Sequence, residues 1–190
     1  MNRVHKWICS SQGWRRTIEE RVPWVLSGTE LGQDLLEIGP GPGLTTDLLR
    51  HKAQRMTAIE IDSKSAEKLS SRLDGSNVKV ITGDATNMPF ADAQFSSGVS
   101  MTMLHHVQTP KLQDKLLREV WRVLKPGGFF VGSDSLQSLM MRVIHIGDTL
   151  VPIDPDTFST RLEAAGFNVL EIQRGPSAFR FRAQEPTKQP

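Results

Sequence analysis

Four carboxylates, two adjacent histidines and three alternate glycines are the residues whose types and positions could do chemistry. The glycines, Gly39, Gly41 and Gly43, close the stretch Leu35-Leu-Glu-Ile-Gly-Pro-Gly-Pro-Gly43. Without Cβ atoms they let a ligand approach the backbone, and Pro40 and Pro42 stiffen the turn between them. A helix starting behind the turn would offer amide N–H groups to a polar ligand. A pyrophosphate-binding turn of the G-x-G-x-x-G type needs a third glycine where this chain has Leu44. The carboxylate Glu37 precedes the turn and suits a ligand with a cationic amine better than one with two phosphates. Glu60 and Asp84 each end a short apolar run, as does Asp134 further along. His105 and His106 follow another such run, and imidazole is a natural proton acceptor near neutral pH.

Positioning these groups takes an alternation of strands and helices. Apolar runs predict strands at 34–38, 56–61, 78–82, 95–100 and 129–133. Helices are predicted from 12 to 26, from 44 to about 52 and from 63 to about 73. Two more start at Thr109-Pro110 and at Asp154-Pro155, each a cap followed by proline. Pro23 is expected to shorten or kink the first helix. Residues 84–93 are polar and carry a proline, so no helix is expected there. Runs at 169–173 and 178–182 predict two last strands, which the short turn Arg174-Gly-Pro-Ser177 makes antiparallel to each other. Residues 184–190 read as a frayed tail. The pattern implies a doubly wound α/β sheet, whose ligands bind at the carboxyl ends of the strands.

A chain of 190 residues fits one domain, 1–190. A net charge of +2 gives no argument for a nucleic-acid surface, and Arg15-Arg16 and the Arg174–Arg182 group read as solvated charge. The single Cys9 cannot form an internal disulfide and reads as a bystander in a reducing cytoplasm. No run is long enough to span a membrane, and the N-terminus lacks the apolar core of a signal peptide. His145 and Asp148 are three residues apart with no third ligand beside them, so a surface or substrate-loop role is expected and no metal site. The chain has no tyrosine, no Asn/Asp-Pro-Pro-Tyr/Phe motif and no Pro-Cys pair, which counts against chemistry on a nucleobase.

The glycine turn resembles motif I of the class I S-adenosylmethionine (SAM) methyltransferases, of the small-molecule type 11 kind. Four further stretches carry the resemblance in order: Thr57-Ala-Ile-Glu-Ile-Asp62, Gly83-Asp-Ala85, Phe95 to Val107, and Leu117 to Gly128. The resemblance implies a Rossmann-like sheet of seven strands, mostly parallel, with an antiparallel last strand. It implies an N-terminal helical segment (1–30), a SAM-binding core (33–134), a short substrate-side cap (135–154) and a C-terminal helix with two strands (155–184). The cofactor is then S-adenosyl-L-methionine. Its site would be Gly39, Pro40, Gly41 and Gly43, Glu60 on the ribose hydroxyls, Ile61, Asp84 and Ala85 at the adenine, Ser100 and Met101, with Glu37 toward the methionine amine. Strands four and five would be neighbours, bringing His105 or His106 within reach of Asp134 as an acid–base pair; packing against the cofactor is the alternative. The apolar residues Met101, Met103, Leu136, Leu139, Met140, Met141, Val143 and Ile144 would surround a small or lipid-like acceptor, or else form core or a homodimer contact. The function implied is methyl transfer to O, N or C. The rival is a non-catalytic SAM-binding or scaffold protein on the same fold.

Overall fold

The computed structural model describes residues 11–187. Cys9 lies outside them, as do the last three residues. Seven strands form one sheet in the order β3-β2-β1-β4-β5-β7-β6. They are β1 (Asp34–Ile38), β2 (Arg55–Glu60), β3 (Val78–Thr82), β4 (Phe95–Met101), β5 (Leu124–Ser135), β6 (Asn168–Arg174) and β7 (Ala178–Gln184). The first five pair in parallel. β7 inserts between β5 and β6, antiparallel to both. The strand order reverses between β1 and β4, and that switch point opens the crevice where ligands bind in such sheets.

Both faces of the sheet are covered, as a buried parallel sheet requires. Neighbouring residues of one strand serve opposite faces. Leu35 packs with Ile18, Val22 and Val25 of α1 (Gln12–Leu26), whereas Leu36 packs with Leu116, Val120 and Val123 of α4 (Pro110–Val123). α2 (Leu44–Leu49) and α3 (Ser63–Arg72) cross between the first three strands. α6 (Pro155–Ala164) brings Phe158 and Leu162 against Phe179 and Phe181 of β7. α1 continues past Pro23 to Leu26, so the proline does not end it. The segment 84–93 contains no helix, as its composition predicts.

Three stretches differ from the sequence reading. β5 begins at Leu124, five residues before the apolar run. The Gly127 N–H bonds the Glu185 carbonyl, and the Glu185 N–H bonds that of Gly128. Gly127 adopts a φ of +81°, which lets the chain turn into the ladder there. The same bonds bury Glu185, so the supposed frayed tail is tied down at its start. Residues 135–154, expected as a substrate-side cap, contain a short helix, α5 (Leu139–Ile144), capped by Ser138.

Candidate active site

All three turn glycines have positive φ, +66° at Gly39, +53° at Gly41 and +85° at Gly43. Their surroundings differ. A Cβ on Gly39 would crowd Met103, and one on Gly43 would overlap Leu69 and Arg72. One on Gly41 would meet nothing within 4 Å, so there the backbone stands bare on the cavity wall. The Gly41 N–H donates to Glu60 Oε2 at 3.0 Å, and the Asp62 N–H donates to Glu60 Oε1 at 3.0 Å. Glu60 thus fastens the turn after β1 to the end of β2. α2 has only six residues, so the anchoring amide is Gly41's rather than a helix N-terminus.

The cavity has a volume of about 530 Å³ and runs along the carboxyl ends of β1 to β5. Pro40, Glu60, Ile61, Asp84, Ala85 and Met101 line it. Ile61 is 71% exposed, an apolar plate on the cavity wall. Asp84 Oδ1 accepts the Thr86 N–H at 2.8 Å, an Asx turn that fixes the loop and the Ala85 backbone beside it. Three predicted ligand residues stand off the wall. Gly43 packs against α3. Ser100 is fully buried inside β4. Glu37 lies beneath the turn, where its Oε2 accepts the Thr46 hydroxyl at 2.6 Å. Burial pushes the Glu37 carboxyl up to about 8, against the Thr46 bond, with Asp47 and Glu60 adding to the rise.

At the other end of the cavity, His105 Nδ1 lies 2.6 Å from Asp134 Oδ1. A carboxylate accepts, so Nδ1 carries a proton, and in the neutral ring Nε2 holds the lone pair. Asp134 is fully buried and also accepts the backbone N–H groups of His105 and Ser135. The His106 ring packs at a tilt against His105, with centroids 4.3 Å apart. His145, at the end of α5, brings its ring to 5.1 Å from each of them. Its Nδ1 lies 2.7 Å from the Met141 carbonyl. Burial holds the His145 imidazole below its ordinary value, against the Met141 bond, with His105 adding to the depression. Met103, Leu112, Leu116, Met141 and Ile144 complete an apolar wall here. Leu139, Met140 and Val143 instead stand exposed on α5, and Leu136 packs against the core.

The model of a family described as methyltransferase domain matches residues 36–132, just over half the chain. This chain belongs to that family. The methyltransferase domain is 30% identical over 174 residues to 24-methylenesterol C-methyltransferase 2 of Oryza sativa subsp. japonica, covering 82% of this chain and 47% of the relative. It is 39% identical over 84 residues to a ribosomal RNA small subunit methyltransferase A of Thermococcus gammatolerans, covering 38% and 29%. The chain spans about half the length, or less, of these curated relatives. Among solved structures, the N-methyltransferase NodS of Bradyrhizobium japonicum, in complex with S-adenosyl-L-homocysteine, superposes with a TM-score of 0.73 at 19% identity, covering 95% and 91%.

The residues of this methyltransferase domain fit an adenosyl ligand on their own chemistry. The bare backbone at Gly41 would admit it closely, the Glu60 oxygens would offer their remaining lone pairs, and Ile61 and Ala85 would offer apolar contact. The structure adds residues that sequence reading did not place here. Trp14 of α1 lines the cavity, as does Thr102. Thr102 has a φ of +52°, unusual for a β-branched residue, and its N–H is held by the Ser133 carbonyl at 2.7 Å. That bend turns the chain from β4 toward the histidines. His145, read from the sequence as a surface or substrate-loop residue, is buried at the cavity, and only the fold brings it to the histidines forty positions earlier.

Proposed function

We propose that this chain is a SAM-dependent methyltransferase whose acceptor is a small or lipid-like molecule. The observation that carries the reading is one continuous cavity with two chemically different ends. The Gly41 backbone, Glu60, Ile61 and Ala85 would hold the cofactor, which supplies a methyl group on a sulfonium leaving group. The apolar end, walled by Met103, Leu112, Leu116, Met141 and Ile144, excludes water and suits an acceptor with a hydrocarbon body. His105 presents its Nε2 lone pair there, with the ring tautomer fixed by Asp134. If the attacked atom is a hydroxyl, His105 takes its proton while Asp134 steadies the resulting imidazolium. Carbon or amine acceptors would use the same enclosure chiefly for positioning.

The sterol relative supports a lipid-like acceptor, whereas the ribosomal RNA relative would favour RNA. The apolar lining and a net charge of only +2 favour the former. The test is incubation with methyl-labelled SAM and three acceptor pools: sterols and quinols, small polar metabolites, and ribosomal RNA. Label in the first pool is the expected result. Label in RNA alone would overturn the acceptor assignment. Tight binding of S-adenosylhomocysteine without label in any pool would favour the non-catalytic reading.

A further inference from the structure

We propose that His105, His106 and His145 form a binding site for one divalent transition-metal ion of the zinc class at the acceptor end of the cavity. Their candidate ligand atoms all lie within 4.8 Å of one another. They come from two elements, the turn Leu104–His106 after β4 and the end of α5. Contact alone would make this a packed group of three rings. The hydrogen bonds behind the rings point further.

A metal-ligating imidazole almost always donates its other ring N–H to a carboxylate or a backbone carbonyl, which fixes the tautomer and the ring plane. His105 Nδ1 does so to Asp134 at 2.6 Å, and His145 Nδ1 does so to the Met141 carbonyl at 2.7 Å. Neither oxygen can donate, so in both neutral rings Nε2 bears the lone pair. Both supports are themselves rigid: Asp134 is fully buried at the end of β5, and the Met141 carbonyl belongs to α5. Zinc–imidazole bonds of ~2.0–2.1 Å put tetrahedral ligand nitrogens roughly 3.4 Å apart. Closing the cluster on an ion therefore needs side-chain movement of about an ångström.

The donor set selects the ion. Three imidazoles without a thiolate suit zinc, copper, nickel or iron, whereas magnesium and calcium prefer oxygen ligands. Three protein ligands leave a tetrahedral ion one open position, the pattern of catalytic rather than purely structural sites. The ion would occupy the Nε2 lone pair of His105. A metal-loaded chain could not use that nitrogen as a base, and a bound hydroxyl would be activated by the ion instead. This last consequence rests on the methyl-transfer reading, whereas metal binding does not.

The experiment uses the tag-free full chain, stripped with a chelator and dialysed against zinc, then measured by elemental analysis. One zinc per chain is expected, with affinity lowered by more than the ~10–100-fold that loss of an outer partner costs in His106→Ala and in His145→Ala. His51→Ala, at an exposed histidine outside the cluster, should retain the full equivalent. Cobalt loading of the unmutated chain gives a readout independent of variant folding. Intense visible bands of four-coordinate cobalt, displaced by one equivalent of zinc, support the site. The weak spectrum of six-coordinate solvated cobalt, or full zinc retention in both cluster variants, overturns it. A chain that binds zinc but transfers no methyl group, either stripped of metal or loaded with it, would sink the proposed activity and leave the metal site standing.

Discussion

Glu60 shows what a single position reveals and conceals. A carboxylate at the end of an apolar run was readable as a ligand for hydroxyls. The sequence did not reveal that the same carboxylate also ties the glycine turn through the Gly41 and Asp62 amides. Glu60→Ala therefore removes both the proposed ligand contact and the clasp that shapes its neighbour. Hydrogen bonds to charged groups contribute roughly 1.5–3 kcal/mol each, and every ~1.4 kcal/mol is tenfold in affinity. Calorimetry should show S-adenosylhomocysteine binding weakened at least ~10-fold. An unchanged dissociation constant would move the ligand role away from Glu60. Ser100 marks the opposite limit: it sits in the right strand, but side chains alternate along a strand and its own points into the protein.

At the scale of elements, the parallel strands were legible because each is a short apolar run bounded by turn residues. β1 and β3 occupy the residues that periodicity predicts. α5 was not legible, because three of its six residues are exposed hydrophobics that give no amphipathic stripe. Its cap at Ser138 was the available signal. The elements at the acceptor end are joined through Gln113 of α4. Its side-chain amide donates to the Leu104 carbonyl at 3.1 Å and the Val151 carbonyl at 2.8 Å, and its oxygen accepts from Arg161 at 3.0 Å. The His105 carbonyl in turn accepts the Val151 N–H at 2.8 Å. Gln113→Leu removes all three bonds; the Leu104 carbonyl keeps the Val107 N–H and Arg161 keeps Asp114 and the Pro110 carbonyl, but the Val151 carbonyl loses this donor, for a cost of roughly 2–4 kcal/mol. For a chain of this size that corresponds to a fall of about 4–16 °C in Tm. An unchanged melting temperature would show that Gln113 does not bind the two segments together.

For the whole molecule, the alternation of elements made the doubly wound sheet legible, but not the neighbours that the fold creates. The meeting of His145 with His105 and His106 depends on where α5 lands, and spacing along the chain carries no trace of it. Glu37 is the other case. Its place before the glycine turn suggested a partner for a ligand amine, whereas the closed sheet buries it against Thr46. That burial makes global stability depend on pH. The folded carboxyl titrates near 8, whereas its ordinary value is 4.5. A raised acid favours the protonated native state, so stability is fully present below about pH 4.5 and falls as pH rises toward about 8. Glu37→Gln keeps an acceptor for the Thr46 hydroxyl but has no proton to lose. The unfolding free energy of the variant relative to the unmodified chain should therefore increase steadily from pH 5 to pH 8 and level off above. Denaturant titrations across that range test it. Parallel stability profiles for the two proteins would show that Glu37 stays ionised in the folded chain, and that the cavity floor beneath the turn is more hydrated than its packing implies.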